Sequence, residues 1–167
     1  MGVLVRCEVF FITGTSGAGK STLVELLKMK LPLLEVHDFD EGGVPRDADA
    51  NWRRERTNAW LEKAKQYSKE GKSTVICGVT VPKEVKGSSH YDKSLRVSYG
   101  YLHIEEETIR SRLKKRSWAK HQIDINVIWA KHLEAYVLAE KNHLVVDGTK
   151  NSAETVCEQF AQWILKK

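Results

Sequence analysis

A glycine-rich turn near the N-terminus constrains this chain more than any other feature. Residues 14–22 read Gly-Thr-Ser-Gly-Ala-Gly-Lys-Ser-Thr, and they follow 9–12, an apolar run of β-branched and aromatic residues typical of a buried strand. After the turn, leucines recur at helical spacing, which predicts a helix over 20–30. A strand, a glycine turn and a helix in this order direct backbone N–H groups toward one point at a helix N-terminus. The segment is therefore suited to bind phosphate.

The turn matches the P-loop pattern G-x-x-x-x-G-K-[ST]. In that motif the lysine, here Lys20, reaches the β- and γ-phosphates of a nucleotide, and the following hydroxyl, here Ser21, ligates Mg²⁺. The predicted nucleotide-binding residues of the loop are Gly14, Thr15, Ser16, Gly17, Ala18, Gly19, Lys20, Ser21 and Thr22. The pattern does not name a reaction, because P-loops serve kinases, GTPases, motor ATPases and switches.

Length and composition favour one globular domain in a reducing, cytoplasmic setting. The chain has 167 residues, 41% of them hydrophobic and 29% charged, which is enough for a core. No apolar run approaches the ~18 residues of a membrane span, and no signal peptide is expected. The three cysteines, Cys7, Cys77 and Cys157, lack metal-ligand spacing. The net charge of +5 favours an acidic partner, but it does not separate a nucleotide, a phosphorylated metabolite and a nucleic acid.

Strand and helix patterns alternate along the whole chain. Strands are predicted at 9–12, 33–37, 73–77, 99–104 and 144–147, and the main helices at 20–30, 49–69, 105–116, 123–141 and from 151 or 152 onward. This alternation predicts an α/β, three-layer P-loop NTPase fold, with a five-stranded parallel sheet and helices on both faces. We expect a single domain over 1–167, with a lid at about 112–124.

Polar segments follow the predicted strands at the edge where parallel sheets bind ligands. Asp38 and Asp40 come after the second strand, Gly78 after the third and Gly148 after the fifth. Two carboxylates two residues apart on an extended chain point the same way. Beside a triphosphate, one can hold Mg²⁺ through water and the other can orient or deprotonate an acceptor hydroxyl. A polar cap of the loop is the alternative role.

Arginines occur in two segments that could contact phosphate or substrate. Arg53 and Arg56 share a face of a predicted helix, and guanidinium groups bind carboxylate or phosphate bidentately, so we expect at least one of them to contact the substrate and, where the acceptor is anionic, to hold it. Arg112 and Arg116 stand near the end of another helix, where one could act on the transferring phosphoryl group and one could stack on a base. Pairing with neighbouring acidic residues and compensation of the helix dipole are the alternatives.

These motifs resemble those of P-loop small-molecule and nucleotide kinases, including the shikimate, gluconate and nucleoside monophosphate kinases. Asp38-Phe39-Asp40 is similar to an Asp-x-Asp element of the shikimate kinase group. That resemblance implies that Asp38 places Mg²⁺ together with Ser21, and that Asp40 meets the acceptor. The pair Trp52-Arg53 resembles the aromatic–arginine substrate motif of the same group.

The C-terminal half resembles the nucleotide kinases. Arg112 and Arg116 match their lid entrance, which implies that Arg112 lies on the adenine and Arg116 meets the phosphates. The segment Asp147-Gly148-Thr149 resembles the loop that borders the adenine, which implies nucleotide contacts at Gly148 and Thr149.

The end of the third strand departs from these families. Gly78 is a predicted substrate contact, but the triple glycine of shikimate kinases is missing there. No aspartate ends this strand, so Asp38 would have to take over the metal-placing role. The acceptor site is therefore not identified from the motifs.

The sequence predicts a P-loop kinase that uses ATP and Mg²⁺ to phosphorylate a small molecule: a nucleoside, nucleotide, sugar or hydroxy acid. Lys20, Asp40 and Arg116 are the predicted catalytic residues. The predicted substrate-binding residues are Asp38, Asp40, Arg53, Arg56 and Gly78, and the predicted metal ligands are Ser21 and Asp38. A nucleotide-binding regulator, a nucleic-acid-associated NTPase and a polynucleotide 5′-end kinase remain as alternatives. No membrane partner is expected, and the oligomeric state is open.

Overall fold

The computed structural model describes residues 7–167 and contains alternating strands and helices. The strands are β1 (Glu8–Thr13), β2 (Glu35–Asp38), β3 (Thr74–Cys77), β4 (Arg96–His103) and β5 (His143–Asp147). The helices are α1 (Lys20–Lys30), α2 (Ala50–Lys69), α3 (Pro82–Lys86), α4 (Glu106–Lys115), α5 (Lys120–Leu138) and α6 (Ala153–Leu165). None of these helices combines the length and the apolar character needed to cross a membrane.

The five strands form one parallel sheet in the order β2-β3-β1-β4-β5, which confirms the predicted architecture. β1 lies at the centre, where Ile12 is aligned with Cys77 of β3 on one side and Gly100 of β4 on the other. From β1 the chain crosses to β2 at one edge of the sheet, returns to β3 beside β1, and then passes β1 to reach β4 and β5 on the other side. Strand order therefore reverses at β1, and such a switch point opens a crevice at the carboxyl ends of the strands.

Side chains of β1 alternate between two hydrophobic layers. Phe10 packs in the layer that includes α1 and α6, whereas Phe11 packs in the layer that includes α2 and the later part of α5. Successive strand residues face opposite sides of a sheet, so an uninterrupted apolar run fits a strand covered on both faces. Every residue of β1 is buried. The glycine turn therefore begins directly after a fully buried central strand.

The first residues of β4 and α5 differ from those predicted from the sequence, because contacts with other residues fix where each element begins. β4 begins at Arg96 rather than at 99, because Ser98 is buried and donates a hydrogen bond to the buried Glu8 of β1. α5 begins at Lys120 rather than at 123, since the Ala119 N–H donates to the side-chain oxygen of Gln122. The region 112–124, expected as a lid, is the end of α4, a short turn and the start of α5.

Candidate functional site

The glycine turn after β1 adopts a conformation that requires glycine. Gly17 has φ 81° and Gly19, the N-cap of α1, has φ 102°, both in the left-handed region that side chains with a Cβ avoid. The Ala18 N–H donates to the Thr15 carbonyl at 3.2 Å and closes the turn. The N-terminus of α1 consequently ends in a backbone loop rather than in a side-chain cap, which leaves its N–H groups available to an anion.

Lys20 lies across this loop. Its Nζ donates to the carbonyl oxygens of Gly14, at 2.7 Å, and Thr15, at 2.8 Å. Burial lowers the pKa of the Lys20 ammonium to about 8, and the charge of Arg116 acts in the same direction, while Asp40 and Asp38 oppose the shift. The loop therefore holds a cation that is incompletely compensated by the protein and that a phosphate would stabilise.

Nucleotide affinity is expected to fall as the pH rises above about 8. In the free protein the depressed pKa of Lys20 makes the ammonium lose its proton there, whereas bound phosphates would retain it. Binding above that pH then takes up one proton, and the Kd rises by at most about tenfold per pH unit. Calorimetric titration with ADP in Mg²⁺-free buffer should show this rise. A Lys20→Arg variant should give a flatter profile, and a flat wild-type profile would contradict the assignment.

A cavity of about 420 Å³, called the Asp38 cavity, opens where β2 ends beside α1. It is lined by Ser21, Val24, Glu25, Lys28, Asp38, Asp40 and Glu41. The Asp40 N–H donates to Asp38 Oδ1 at 2.8 Å, so the aspartate pair forms a turn rather than the straight strand expected. Burial, and next the charge of Asp38, raise the pKa of Asp40.

The Asp38 cavity fits Mg²⁺ held jointly by protein and phosphate. Within residues 7–167, no group of three or more His, Cys, Asp or Glu side chains could hold a metal ion. Mg²⁺ in nucleotide sites usually takes one or two protein oxygens and completes its shell with water and phosphate. The Ser21 hydroxyl and the Asp38 carboxylate supply oxygens of this kind within one cavity.

A second cavity, called the Arg112 cavity, has a volume of about 300 Å³ and lies beside the P-loop on the α6 side of the sheet. Its lining residues are Gly17, Ala18, Gly19, Thr22, Leu23, Leu102, Arg112, Arg116, Gly148, Asn151, Ala153 and Val156. The structure thus places Arg112, Arg116 and Gly148 around one cavity. The sequence assigns all three to the nucleotide, although Gly148 is distant in the chain from the two arginines. Thr149, also assigned there, instead accepts a hydrogen bond from the Glu105 N–H at 2.8 Å.

The two arginines of the Arg112 cavity have different surroundings. Arg112 Nη1 donates to the carbonyl of Gly17 at 2.9 Å and to that of Ala18 at 3.4 Å, so it supports the loop while facing the cavity. Arg116 is the C-cap of α4 and is exposed. A guanidinium in this position has the freedom to approach a bound phosphate.

A third cavity, called the tryptophan cavity, has a volume of about 340 Å³ and lies on the other side of Asp40. It is lined by Ser16, Phe39, Asp40, Val44, Ala48, Trp52, Arg53, Val79, Asn126 and Trp129. Ser16 belongs to the P-loop and Asp40 also lines the Asp38 cavity. The tryptophan cavity is therefore adjacent to the position where the P-loop would hold a terminal phosphate.

The predicted substrate residues outside the aspartate pair divide between the tryptophan cavity and the loop after β2. Arg53 lines the tryptophan cavity. Arg56 directs its donors at the loop after β2, with Nε 2.8 Å from the Phe39 carbonyl oxygen and Nη2 on that of Glu41. Gly78 gives space to Phe39, because a Cβ on Gly78 would stand 2.1 Å from the Cβ of Phe39. In this structure Arg56 and Gly78 shape the loop that carries Asp40.

A Gly78→Ala variant is expected to lose about 1–3 kcal/mol of unfolding free energy. The added methyl group overlaps the buried Phe39, whose carbonyl oxygen also accepts the Trp60 Nε1–H at 3.0 Å. Displacement of Phe39 would also move Asp40, so any phosphoryl-transfer rate should fall with stability. Urea unfolding measures the first effect. An unchanged midpoint would show that Phe39 has room to move and would contradict this packing.

Sequence reasoning missed two residues of α5 at this site. Asn126 is buried; its side-chain Nδ2 donates to the Ser16 carbonyl oxygen at 3.3 Å, and its backbone carbonyl oxygen accepts a hydrogen bond from the Thr15 hydroxyl at 3.3 Å. Trp129 follows three residues later on the same face of the helix and is partly exposed to the tryptophan cavity. An asparagine on the inner face of an apolar helix was the available signal, since a buried amide needs hydrogen-bond partners.

Comparison with solved structures shows the same fold over nearly the whole chain. Shikimate kinase from Acinetobacter baumannii in complex with shikimate has a TM-score of 0.68 at 15% identity, covering 98% of this chain and 96% of that chain. The tunicamycin resistance protein of Deinococcus radiodurans gives 0.66 at 18% identity, with 95% and 96% covered. The APS kinase of Mycobacterium tuberculosis in complex with AMPPNP and APS gives 0.59 at 15% identity, with 97% and 99% covered.

Comparison by sequence gives a family. No curated protein matches the chain at a significant level. The family described as the AAA domain matches residues 11–135, which include the P-loop, the aspartate pair and the lining residues of α5. The match covers well over half of the chain, and the structural neighbours include shikimate, thymidylate and APS kinases. The chain therefore belongs to this AAA-domain family and has the fold of the P-loop kinases.

Proposed function

We propose that this protein is a kinase that transfers the γ-phosphoryl group of ATP, with Mg²⁺, to a hydroxyl group of a small molecule. One observation carries the proposal: Asp40 borders both the Asp38 cavity and the tryptophan cavity. A carboxylate at that junction can contact an acceptor hydroxyl on one side of a phosphate that Lys20 holds on the other. Phosphoryl transfer depends mainly on such positioning and on electrostatic stabilisation.

Each side chain at the site has a role that its surroundings support. The P-loop N–H groups and Lys20 bind the phosphates, and Arg112 fixes the loop through its bond to the Gly17 carbonyl. Arg116 stabilises negative charge on the transferring group from the rim of the Arg112 cavity. Asp40 orients the acceptor hydroxyl and accepts its proton.

Ser21 and Asp38 would hold Mg²⁺, which would supply positive charge to offset the negative charge of the phosphates. ATP as the donor is supported by the APS kinase neighbour, whose structure contains AMPPNP. The shikimate kinase neighbour, with shikimate bound, supports a small acceptor.

The tryptophan cavity favours this proposal over the nucleic-acid alternatives. A regulator needs no second cavity beside the terminal phosphate, and a polynucleotide kinase needs a groove that a strand can follow. A cavity of about 340 Å³ is at the small end of the range for small-molecule sites.

The direct test is incubation with labelled ATP and a panel of nucleosides, nucleotides, sugars and hydroxy acids. The proposal expects a labelled small-molecule product that forms only with Mg²⁺. Salt-sensitive retention on RNA or DNA together with no labelled small product would overturn it in favour of a nucleic-acid-associated NTPase.

A further inference from the structure

Two tryptophan side chains line the tryptophan cavity. Trp52 and Trp129 are partly exposed in its wall. Phe39 packs edge-to-face on Trp52 at 6.4 Å between ring centroids, and Tyr136 packs in the same manner on Trp129, also at 6.4 Å. Rings fixed by such contacts offer a flat apolar surface at little entropic cost. The cavity is therefore suited to a ligand with a flat, apolar face.

The charges around the tryptophan cavity are mostly compensated by each other. Asp40 and Arg53 are its charged lining residues in the part of the chain that the structure describes. Arg53 Nη2 lies 2.9 Å from Glu84 Oε2 and 3.2 Å from the Val79 carbonyl oxygen. Asp40, Arg53 and Glu84 together carry a net charge of minus one. The guanidinium that would have received an anionic acceptor is already paired with a carboxylate.

An anionic acceptor would therefore be disfavoured for two reasons. It would have to displace Glu84 from Arg53, or share the guanidinium with it. It would also approach the Asp40 carboxylate and the negative terminal phosphate of a bound nucleotide, and like charges brought together at an interface are costly. An uncharged alcohol does not compete with Glu84 for Arg53 and is not repelled by Asp40 or the terminal phosphate. Its hydroxyl can donate a hydrogen bond to Asp40.

We infer that the acceptor is an uncharged alcohol with a flat, apolar ring, of the nucleoside or aryl-substituted polyol class, and not a hydroxy acid or a phosphorylated compound. The inference rests on the proposed function and narrows its acceptor. It replaces the expectation that Arg53 anchors an anion. In the reaction, the acceptor oxygen forms a bond to the γ-phosphorus while the bond from that phosphorus to the bridging oxygen breaks. The bond's electrons leave with ADP, and the hydroxyl proton passes to Asp40.

Binding tests the inference without requiring turnover. Tryptophan fluorescence is followed with ADP and Mg²⁺ present, using matched pairs that differ in one charge: thymidine with thymidine monophosphate, and methyl mandelate with mandelate. At least one neutral member is expected to bind about tenfold more tightly than its anionic partner. Trp52→Phe and Trp129→Phe variants should remove the signal change if the ligand lies between these rings. Tighter binding of the anionic members, or no binding of any neutral member, would overturn the inference.

Glu84 provides the second test. In Glu84→Gln, Arg53 loses its ionic partner, so affinity for the anionic member of each pair should rise about tenfold, and the neutral member should change little. Glu62→Gln, which removes an exposed carboxylate on α2 paired only loosely with Lys65 at 3.9 Å, is the matched control. An unchanged preference in Glu84→Gln would overturn the inference. If the neutral preference holds but no product forms, the kinase proposal fails; if product forms mainly from anionic acceptors, only the acceptor assignment fails.

Discussion

Replacing Lys20 with alanine is expected to lower the rate of phosphoryl transfer by about 10²- to 10³-fold or more, with the fold intact. Lys20 lies across the P-loop; among the described residues Lys28 lines the Asp38 cavity, and no lysine lines the Arg112 or tryptophan cavity. Alanine removes the cation that would meet the β- and γ-phosphates but leaves the glycine conformation of the loop unchanged. Single-turnover measurement of phosphate transfer, with circular dichroism of the variant, separates the two effects.

Lys69→Ala is the matched control for this variant. Lys69 is an exposed residue in the last turn of α2, at the opposite end of that helix from Asp49. It should retain the wild-type rate, since a change of one exposed charge affects long-range electrostatics only weakly in salt. Wild-type turnover in Lys20→Ala would contradict the assignment of the P-loop as the phosphate site and, with it, the proposed kinase function.

The fold and the nucleotide side could be predicted because their signals are local in the sequence. The apolar run of β1 has to be buried on both faces, and the alternation of strands and helices then requires a parallel sheet. Gly17 and Gly19 need positive φ angles within three residues of each other, so the motif that names the P-loop also specifies its backbone. The conformation of such a short segment depends on its own residues and not on where the strand and helix lie in the fold.

The tryptophan cavity could be predicted only in part because its walls meet through distant contacts. Arg53 was expected to face a ligand, and it does line the cavity, but its partner Glu84 lies 31 residues away in sequence. Asn126 reaches Ser16 across 110 residues. No local sequence pattern indicates either contact, because both depend on where α3 and α5 pack in the folded protein. The sequence therefore left the acceptor class open and offered Arg53 as a possible anchor for an anion, whereas the ion pair with Glu84 argues for a neutral acceptor.

Asp40→Asn should lower the rate of transfer by about 10²- to 10⁴-fold and leave nucleotide affinity close to wild type. Asparagine has nearly the same shape as aspartate, so the turn in which the residue 40 N–H donates to Asp38 Oδ1 can persist. The amide can still contact an acceptor hydroxyl, but it cannot accept the proton. The loss should therefore fall on kcat more than on the KM for the acceptor.

Asp38→Asn is the informative comparison, because the two aspartates share the Asp38 cavity and differ in assigned role. If Asp38 holds Mg²⁺, its asparagine variant needs more Mg²⁺ for half-maximal activity and recovers rate as the ion is raised. Asp40→Asn should not be rescued in this way, since the missing group is the proton acceptor beside the tryptophan cavity. Equal rescue of both variants by Mg²⁺ would indicate that both carboxylates bind the metal. The proposed mechanism would then have no group that accepts the proton of the acceptor hydroxyl.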